Sequence, residues 1–316
     1  MTNSERATLP TIFVIFGMTG DLAHRKLIPA LFHLYRRKLL PSLFQVVGFS
    51  RQELTNEEVQ KKVRDIIGVP PEDERELVEK FSRLFIYKQG LFEDATGYER
   101  LAEYLGQKDG AWRVCSNKLF YLAVPPEYYE PILRHLDKSK LTEPCSPEEG
   151  WTRVIVEKPF GKDLETAEAL DLLLGRLFRE EQIYRIDHYL GKETVQNILA
   201  FRFSNSFLAP AWDRRYIERV TIRAWEKIGI ERRGEFYEGV GALRDFGQNH
   251  LLQLLALIAM EKPATFDAAS IRAARLAALR TLRSMTANDI KKRTVRGQYD
   301  GYRETKGVSS SSQTET

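Results

Sequence analysis

The sequence predicts an α/β protein: a doubly wound parallel sheet over residues 1–186, then the opening of an α+β domain with antiparallel strands over 187–316. Three observations carry this. Apolar strand-like runs alternate with helical patterns as far as about residue 186. The first of these runs passes through a glycine-containing turn straight into a helix. Beyond 186 the alternation gives way to long helical patterns around one segment of alternating polarity.

In order, TIFVIF at 11–16 is β-branched and aromatic throughout, as a strand buried on both faces requires. GMTGD at 17–21 leads into a helix with Leu27, Ile28, Leu31, Leu34 and Tyr35 on one face and Pro29 in its first turns, where proline is tolerated. FQVVGFSR at 44–51 is the next strand. A helix follows with Thr55 and Glu58 as a capping box and Val59, Val63, Ile66 and Ile67 as its apolar stripe. Further strands are expected at 84–87, 119–124 and 152–157, with helices between them and again at 163–180. In the second part, 193–201 and 242–262 read as helices, and LLQLLALIAM at 251–260, too short to span a bilayer, reads as buried. Residues 217–225 set Val220, Ile222 and Ala224 against Thr221 and Arg223, the pattern of a strand with unlike faces. The end of the chain, from about 300, is polar and has no core-forming residue after Val308.

The 316 residues are 43% hydrophobic and 29% charged with a net charge of +4, which suits a two-domain soluble protein. The basic residues are scattered and no recognition motif appears, so neither nucleic acid nor membrane is expected as a partner. The polar N-terminal stretch shows no signal peptide. Cys115 and Cys145 lack metal-ligand spacing and read as thiols of a reducing, cytoplasmic compartment; no metal is expected.

Two stretches carry chemistry. Gly17, Thr19, Gly20, Asp21 and Leu22 sit between strand and helix, where glycines admit a pyrophosphate and the helix offers free N–H groups. The Gly-x-x-Gly spacing also fits a plain turn. At the end of the second strand stands Arg51, with no acid before Glu53, which favours the 2′-phosphate of NADP over the ribose of NAD. The second stretch is RIDHYLGKE at 185–193. In an extended segment Asp187 and His188 point to opposite faces, so Asp187 is free to orient a different histidine, while His188 and Lys192 can meet an anion. Of the five histidines, His24, His33 and His135 suit structural places. His250, before an apolar helix, is either a core histidine or a base paired with a carboxylate.

The strings GMTGDLA at 17–23, EKPFG at 157–161, RIDHYLGKE and QNH at 248–250, in this order, resemble the glucose-6-phosphate dehydrogenase family over nearly the whole chain. The resemblance implies a Rossmann-like NADP-binding domain at 1–186 and a partial substrate domain at 187–316. It implies that His250, oriented by Asp187, takes the proton from the C1 hydroxyl of glucose 6-phosphate while a hydride passes to NADP. His188, Tyr189 and Lys192 would hold the 6-phosphate. Lys158, Glu226 and Asp245 would hold sugar hydroxyls, and Lys26 would lie near the substrate. Thr19, Arg51, Lys158 and Pro159 would meet the cofactor. The family's chain is longer. On this reading most of the antiparallel sheet through which its subunits pair is missing here, and a family-type homodimer is not expected. A non-catalytic NADP-binding fragment and an oxidoreductase for another sugar phosphate stand as alternatives.

Overall fold

The computed structural model describes residues 10–69, 71–145, 149–161, 163–231 and 233–316. The N-terminal stretch 1–9 lies outside them. The chain divides into two compact units, Met1–Ile186 and Asp187–Thr316.

The first unit is built on β1 (Thr11–Phe16), β2 (Phe44–Ser50), β3 (Phe85–Gln89), β4 (Asn117–Leu122), β5 (Thr152–Val156) and β6 (Ile183–Arg185). They form one sheet in the order β3-β2-β1-β4-β5-β6, every neighbouring pair parallel. The helices are α1 (Ile28–Arg36, preceded by a π-helical turn Ala23–Leu27), α2 (Asn56–Ile67), α3 (Arg75–Ser82), α4 (Ala95–Trp112), α5 (Tyr129–Lys138) and α6 (Leu164–Leu177). Side chains alternate across a strand, and β1 shows the result. Ile12, Val14 and Phe16 pack with Leu101 of α4, Leu133 of α5 and Leu174 of α6, whereas Phe13 and Ile15 pack with Leu31 of α1, Val63 of α2 and Phe81 of α3. A strand covered on both sides has no use for a polar face, hence the unbroken apolar run.

The Thr55–Glu58 capping box at the start of α2 is present, with the Glu58 amide donating to Thr55 Oγ1 over 3.2 Å. Leu34 departs from expectation: it is 37% exposed, and the buried face of α1 is carried by Ile28 and Leu31. Cys115 and Cys145 are not separate thiols. They form a disulfide with Cα atoms 5.6 Å apart, joining the start of β4 to the stretch before β5. Their separation of 30 residues carries no signature by which a sequence reader could pair them.

The second unit is helical: α7 (Glu193–Ser204), α8 (Gly234–Glu238), a π-helical segment Leu243–Leu251 running into α9 (Leu252–Ala259), α10 (Ala268–Arg280) and α11 (Ala287–Arg293). Val195, Leu257 and Met260 form a small core with Ile198, Leu254, Ala274 and Ala278 around it. The last carbonyls of α9 are met by buried or half-buried side chains. Arg202 donates to Leu257 O (2.7 Å) and Met260 O (2.9 Å), and Trp212 donates to Ile258 O (2.9 Å). Burial lowers the pKa of Arg202, the cost of placing a guanidinium there.

One expectation fails in this unit. No strand occurs among the described residues of 187–316, and residues 217–225 carry no strand pairing. Val220 is 48% exposed and Trp225 84%. Alternating polarity prepares a strand for one covered face, but only a hydrogen-bonded neighbour makes it a strand. The polar end of the chain, in turn, is held. Ser312 Oγ donates to Glu238 (2.5 Å), Gln298 donates to Ser312 O and Thr314 O, and Ala242 N donates to Glu315 O (3.0 Å). Donation first from Ser312 and then from Tyr302 keeps Glu238 below the usual carboxylate range. Tyr302 and Val308 anchor the residues before 309 in a small core with Ile230 and Tyr237, and hydrogen bonds hold the polar stretch that follows. LLQLLALIAM is helical over most of its length, and Ala256, Leu257 and Met260 are its buried residues.

Candidate active site

In the first unit the turn after β1 lies at the point where strand order reverses, between β1 and β4. In open α/β sheets that is where ligands bind. Gly17 has φ +81°, and a Cβ there would stand 2.3 Å from Ala123 O, beyond the end of β4. Only glycine can occupy it. Gly20 N donates back to Gly17 O (2.9 Å), and a Cβ on Gly20 would meet that same oxygen at 3.1 Å. Thr19 Oγ1 lies 2.8 Å from Ser50 Oγ, tying the turn to the end of β2. Arg51 follows directly and is exposed. This backbone-lined turn with an adjacent cation fits a dinucleotide pyrophosphate and a 2′-phosphate. The other residues of the turn are less committed. Asp21 is paired with Arg25 on the surface (2.7 Å), Leu22 packs against the core, and Lys26 is exposed.

The Glu157-Lys158-Pro159 segment leaves β5 with both carbonyl and carboxylate of Glu157 engaged. Tyr129 O–H donates to Glu157 O (3.0 Å), and Tyr121 O–H donates to the Glu157 carboxylate. Burial, and then that carboxylate, push the Tyr121 hydroxyl well above its ordinary pKa, so it remains a donor. These two tyrosines hold Glu157, the residue before Lys158 and Pro159, whose peptide bond is cis. Sequence reading passed over them, because a tyrosine in a buried strand or helix looks like core.

In the second unit the residues after Ile186 do not continue as strand but turn, with Leu190 N bonded to Asp187 O (3.1 Å) and Gly191 N to His188 O (3.3 Å). The opposite-face expectation for Asp187 and His188 is therefore replaced by convergence. Asp187 Oδ1 accepts from Tyr189 N (3.0 Å) and lies 2.6 Å from His250 Nδ1. The His188 ring stands edge-on to His250 with centroids 4.5 Å apart. Tyr189 stacks on His250 at 4.3 Å and 19°, and Phe246 closes the edge at 5.3 Å. Lys192 Nζ lies over the Tyr189 ring, 3.5 Å from its centroid. His250 is 1% exposed and His188 is exposed. A carboxylate accepting from Nδ1–H fixes the tautomer of His250 and leaves Nε2 as the basic nitrogen.

Asp187, His188 and His250 also place one ligand atom each within 4.8 Å of one another, so a metal ion is sterically conceivable there. The bond from His250 Nδ1 to Asp187 uses the donor set differently. Asp245 sits on the same π-helical segment as His250, its carbonyl accepting from Asn249 Nδ2 (2.9 Å). Burial, and then the charge of Asp245, push the neighbouring Tyr237 up to about 12. Glu226 is exposed in the stretch without secondary structure.

Each unit thus carries its own constellation: a glycine turn beside a cation in the first, and a carboxylate-bound histidine near a lysine in the second. Residues 14–197 match the family model described as Glucose-6-phosphate dehydrogenase, NAD binding domain. The chain belongs to the glucose-6-phosphate dehydrogenase family. Residues 199–316 match that family's C-terminal domain. Among curated relatives, the glucose-6-phosphate 1-dehydrogenase of Aggregatibacter actinomycetemcomitans is 44% identical over 96% of this chain and 63% of its own length. That of Borreliella burgdorferi is 42% identical over 94% and 59%. A solved glucose-6-phosphate dehydrogenase in complex with glucose-6-phosphate superposes with a TM-score of 0.85 at 34% identity, covering 98% of this chain and 64% of that one. The Mycobacterium avium enzyme superposes at 0.83 and 38%, covering 97% and 64%. The chain thus spans about three fifths of the length of the relatives it matches. Among the described residues no helix is long and apolar enough to cross a membrane.

Proposed function

We propose that the chain takes part in the oxidation of glucose 6-phosphate at C1, to 6-phosphogluconolactone, with NADP as hydride acceptor. The observation that carries the reading is the 2.6 Å contact of His250 Nδ1 with Asp187 Oδ1, with His188 and Tyr189 against the same imidazole. Oxidising a hemiacetal requires removal of a proton from O1 as the hydride leaves C1. His250 takes that proton on Nε2, and Asp187 stabilises the imidazolium that forms. His188 and Lys192 supply hydrogen-bond donors for the phosphate dianion, Lys192 with its positive charge, and the Tyr189 hydroxyl is a third donor. Asp245 and Glu226 are assigned to sugar hydroxyls, as is Lys158 in the first unit, where Lys26 is assigned near the substrate.

NADP, when bound, supplies the hydride acceptor. Gly17, Thr19, Gly20, Asp21 and Leu22 would hold its pyrophosphate, Arg51 its 2′-phosphate, and Lys158 and Pro159 its nicotinamide end. Three things support the cofactor assignment: the close approach that Gly17 allows, the exposed Arg51 at the end of β2, and the family. A cytoplasmic setting accords with the relative named "Glucose-6-phosphate 1-dehydrogenase 6, cytoplasmic" in Arabidopsis thaliana. The Cys115–Cys145 bond points toward a more oxidising place. The deciding experiment is continuous measurement of NADPH absorbance with the purified chain, against a panel of sugar phosphates and with NAD in parallel. Turnover of glucose 6-phosphate with NADP above all other pairs is expected. NADP binding without turnover of any sugar phosphate would reduce the chain to a cofactor-binding fragment.

A further inference from the structure

Asp187 has a second oxygen. Oδ1 serves both His250 Nδ1 and Tyr189 N, while Oδ2 is buried and has no hydrogen-bond partner among the described residues. A buried carboxylate oxygen left so is costly, and a carboxylate that must aim a base needs both oxygens restrained. On α10, the Nε–H of Arg275 is likewise buried and without a hydrogen-bond partner. α10 packs against α9 through Ala274 and Ala278, which border Arg275 in sequence and at one helical turn, and the same cluster includes Leu190, three residues after Asp187. An unmet acceptor and an unmet donor of opposite charge thus belong to elements sharing one small core; the other unmet cationic donor among this unit's described residues, Arg202 Nε, is on a guanidinium already engaged with Leu257 O and Met260 O.

We propose that Arg275 is the positioning residue for Asp187, its buried charge acting on the carboxylate from beyond ion-pair contact and favouring the orientation that aims His250. The assignment rests on the proton-transfer role given to His250 above. The electrostatics agree. Burial lowers the pKa of Arg275, the charge of Asp187 is the influence that opposes this, and Arg272, one turn earlier, adds repulsion. The charged or titratable groups facing His250 include Asp187, His188 and Tyr189, with Lys192 over the Tyr189 ring. Arg275 acts on the imidazole through Asp187.

The test uses the full chain labelled with ¹⁵N-histidine. A carboxylate-bound imidazole N–H gives a far-downfield proton resonance, assigned to His250 by its loss in His250→Asn. In Arg275→Met this resonance should disappear or move upfield, and in Arg275→Lys it should be largely restored. In the same variants kcat for glucose 6-phosphate should fall about 10- to 100-fold in Arg275→Met, the scale of a misplaced catalytic group, with KM nearly unchanged, and recover in part in Arg275→Lys. Arg275→Gln makes the same comparison if the Met variant does not fold. An unchanged His250 resonance in a folded Met or Gln variant overturns the proposal. If the wild-type chain proves inactive, the resonance alone decides: its dependence on Arg275 upholds the coupling while the glucose 6-phosphate reading falls.

Discussion

The turn after β1 and the cluster around His250 solve different problems by different means. The turn is a site made of backbone. Its shape comes from the sheet, and its essential residue is one that contributes no side chain: Gly17, with Ala123 O 2.3 Å from where a Cβ would be. The His250 cluster is a site made of side chains. Asp187, His188 and Tyr189 come from one turn and His250 from a π-helical segment, and their contacts rather than a sheet hold them. A backbone site should therefore fail through shape, and a side-chain site through chemistry. Substitutions in the two should separate binding from turnover.

The largest effect is expected at His250. His250→Asn should lower kcat by about two to four orders of magnitude, the scale of a lost general base, with NADP affinity intact. His188→Asn should instead raise KM for the sugar phosphate. Steady-state kinetics decide, and near-normal turnover in His250→Asn would remove the distinction between the sites. Next is Gly17→Ala. The left-handed φ costs about 1–2 kcal/mol, and the clash with Ala123 O adds about 1–3 kcal/mol. Calorimetric NADP titration should show binding lost, while thermal unfolding of the first unit shifts downward; an unshifted melt with normal binding would show that the turn relaxes freely. The smallest is Arg51→Ala, which should weaken NADP by about 1.5–3 kcal/mol, the worth of a charge-assisted bond, and leave NAD unaffected. Equal losses for both cofactors would make Arg51 part of the scaffold.

The same contrast explains what was legible in the sequence. The strands of the first unit announce themselves because burial on both faces demands unbroken apolar runs such as TIFVIF, and Thr55 and Glu58 mark a helix start by their own chemistry. β6 escaped notice because three residues, Ile183–Arg185, are too few to show a period. In the second unit, residues 217–225 display a strand's alternation without a strand's partner, and partnership is not written in a segment's own residues. α10 was missed too, since AASIRAARLAALR has no fully buried residue and only a weak apolar stripe. Arg275 was missed with it. The Asp187–His250 pairing was approachable through residue types and family likeness. The turn that brings His188 to the same ring depends on backbone geometry that the adjacent letters do not reveal.

The strand order has a consequence for how the chain comes into being. β1 sits mid-sheet, and its β4 neighbour lies far along the chain: Thr11 is in register with Asn117, 106 residues later. At ribosomal rates of about 5–20 residues per second, one edge of TIFVIF waits roughly 5–20 s for its partner to be made. β2 arrives early and can protect the other edge. The waiting edge is uncharged, β-branched and apolar, the kind of segment that pairs readily with a wrong strand. The arrangement that makes the middle of the finished sheet its most protected place thus makes the same strand the nascent chain's most exposed liability, and a substrate for whatever shields hydrophobic segments at the ribosome exit.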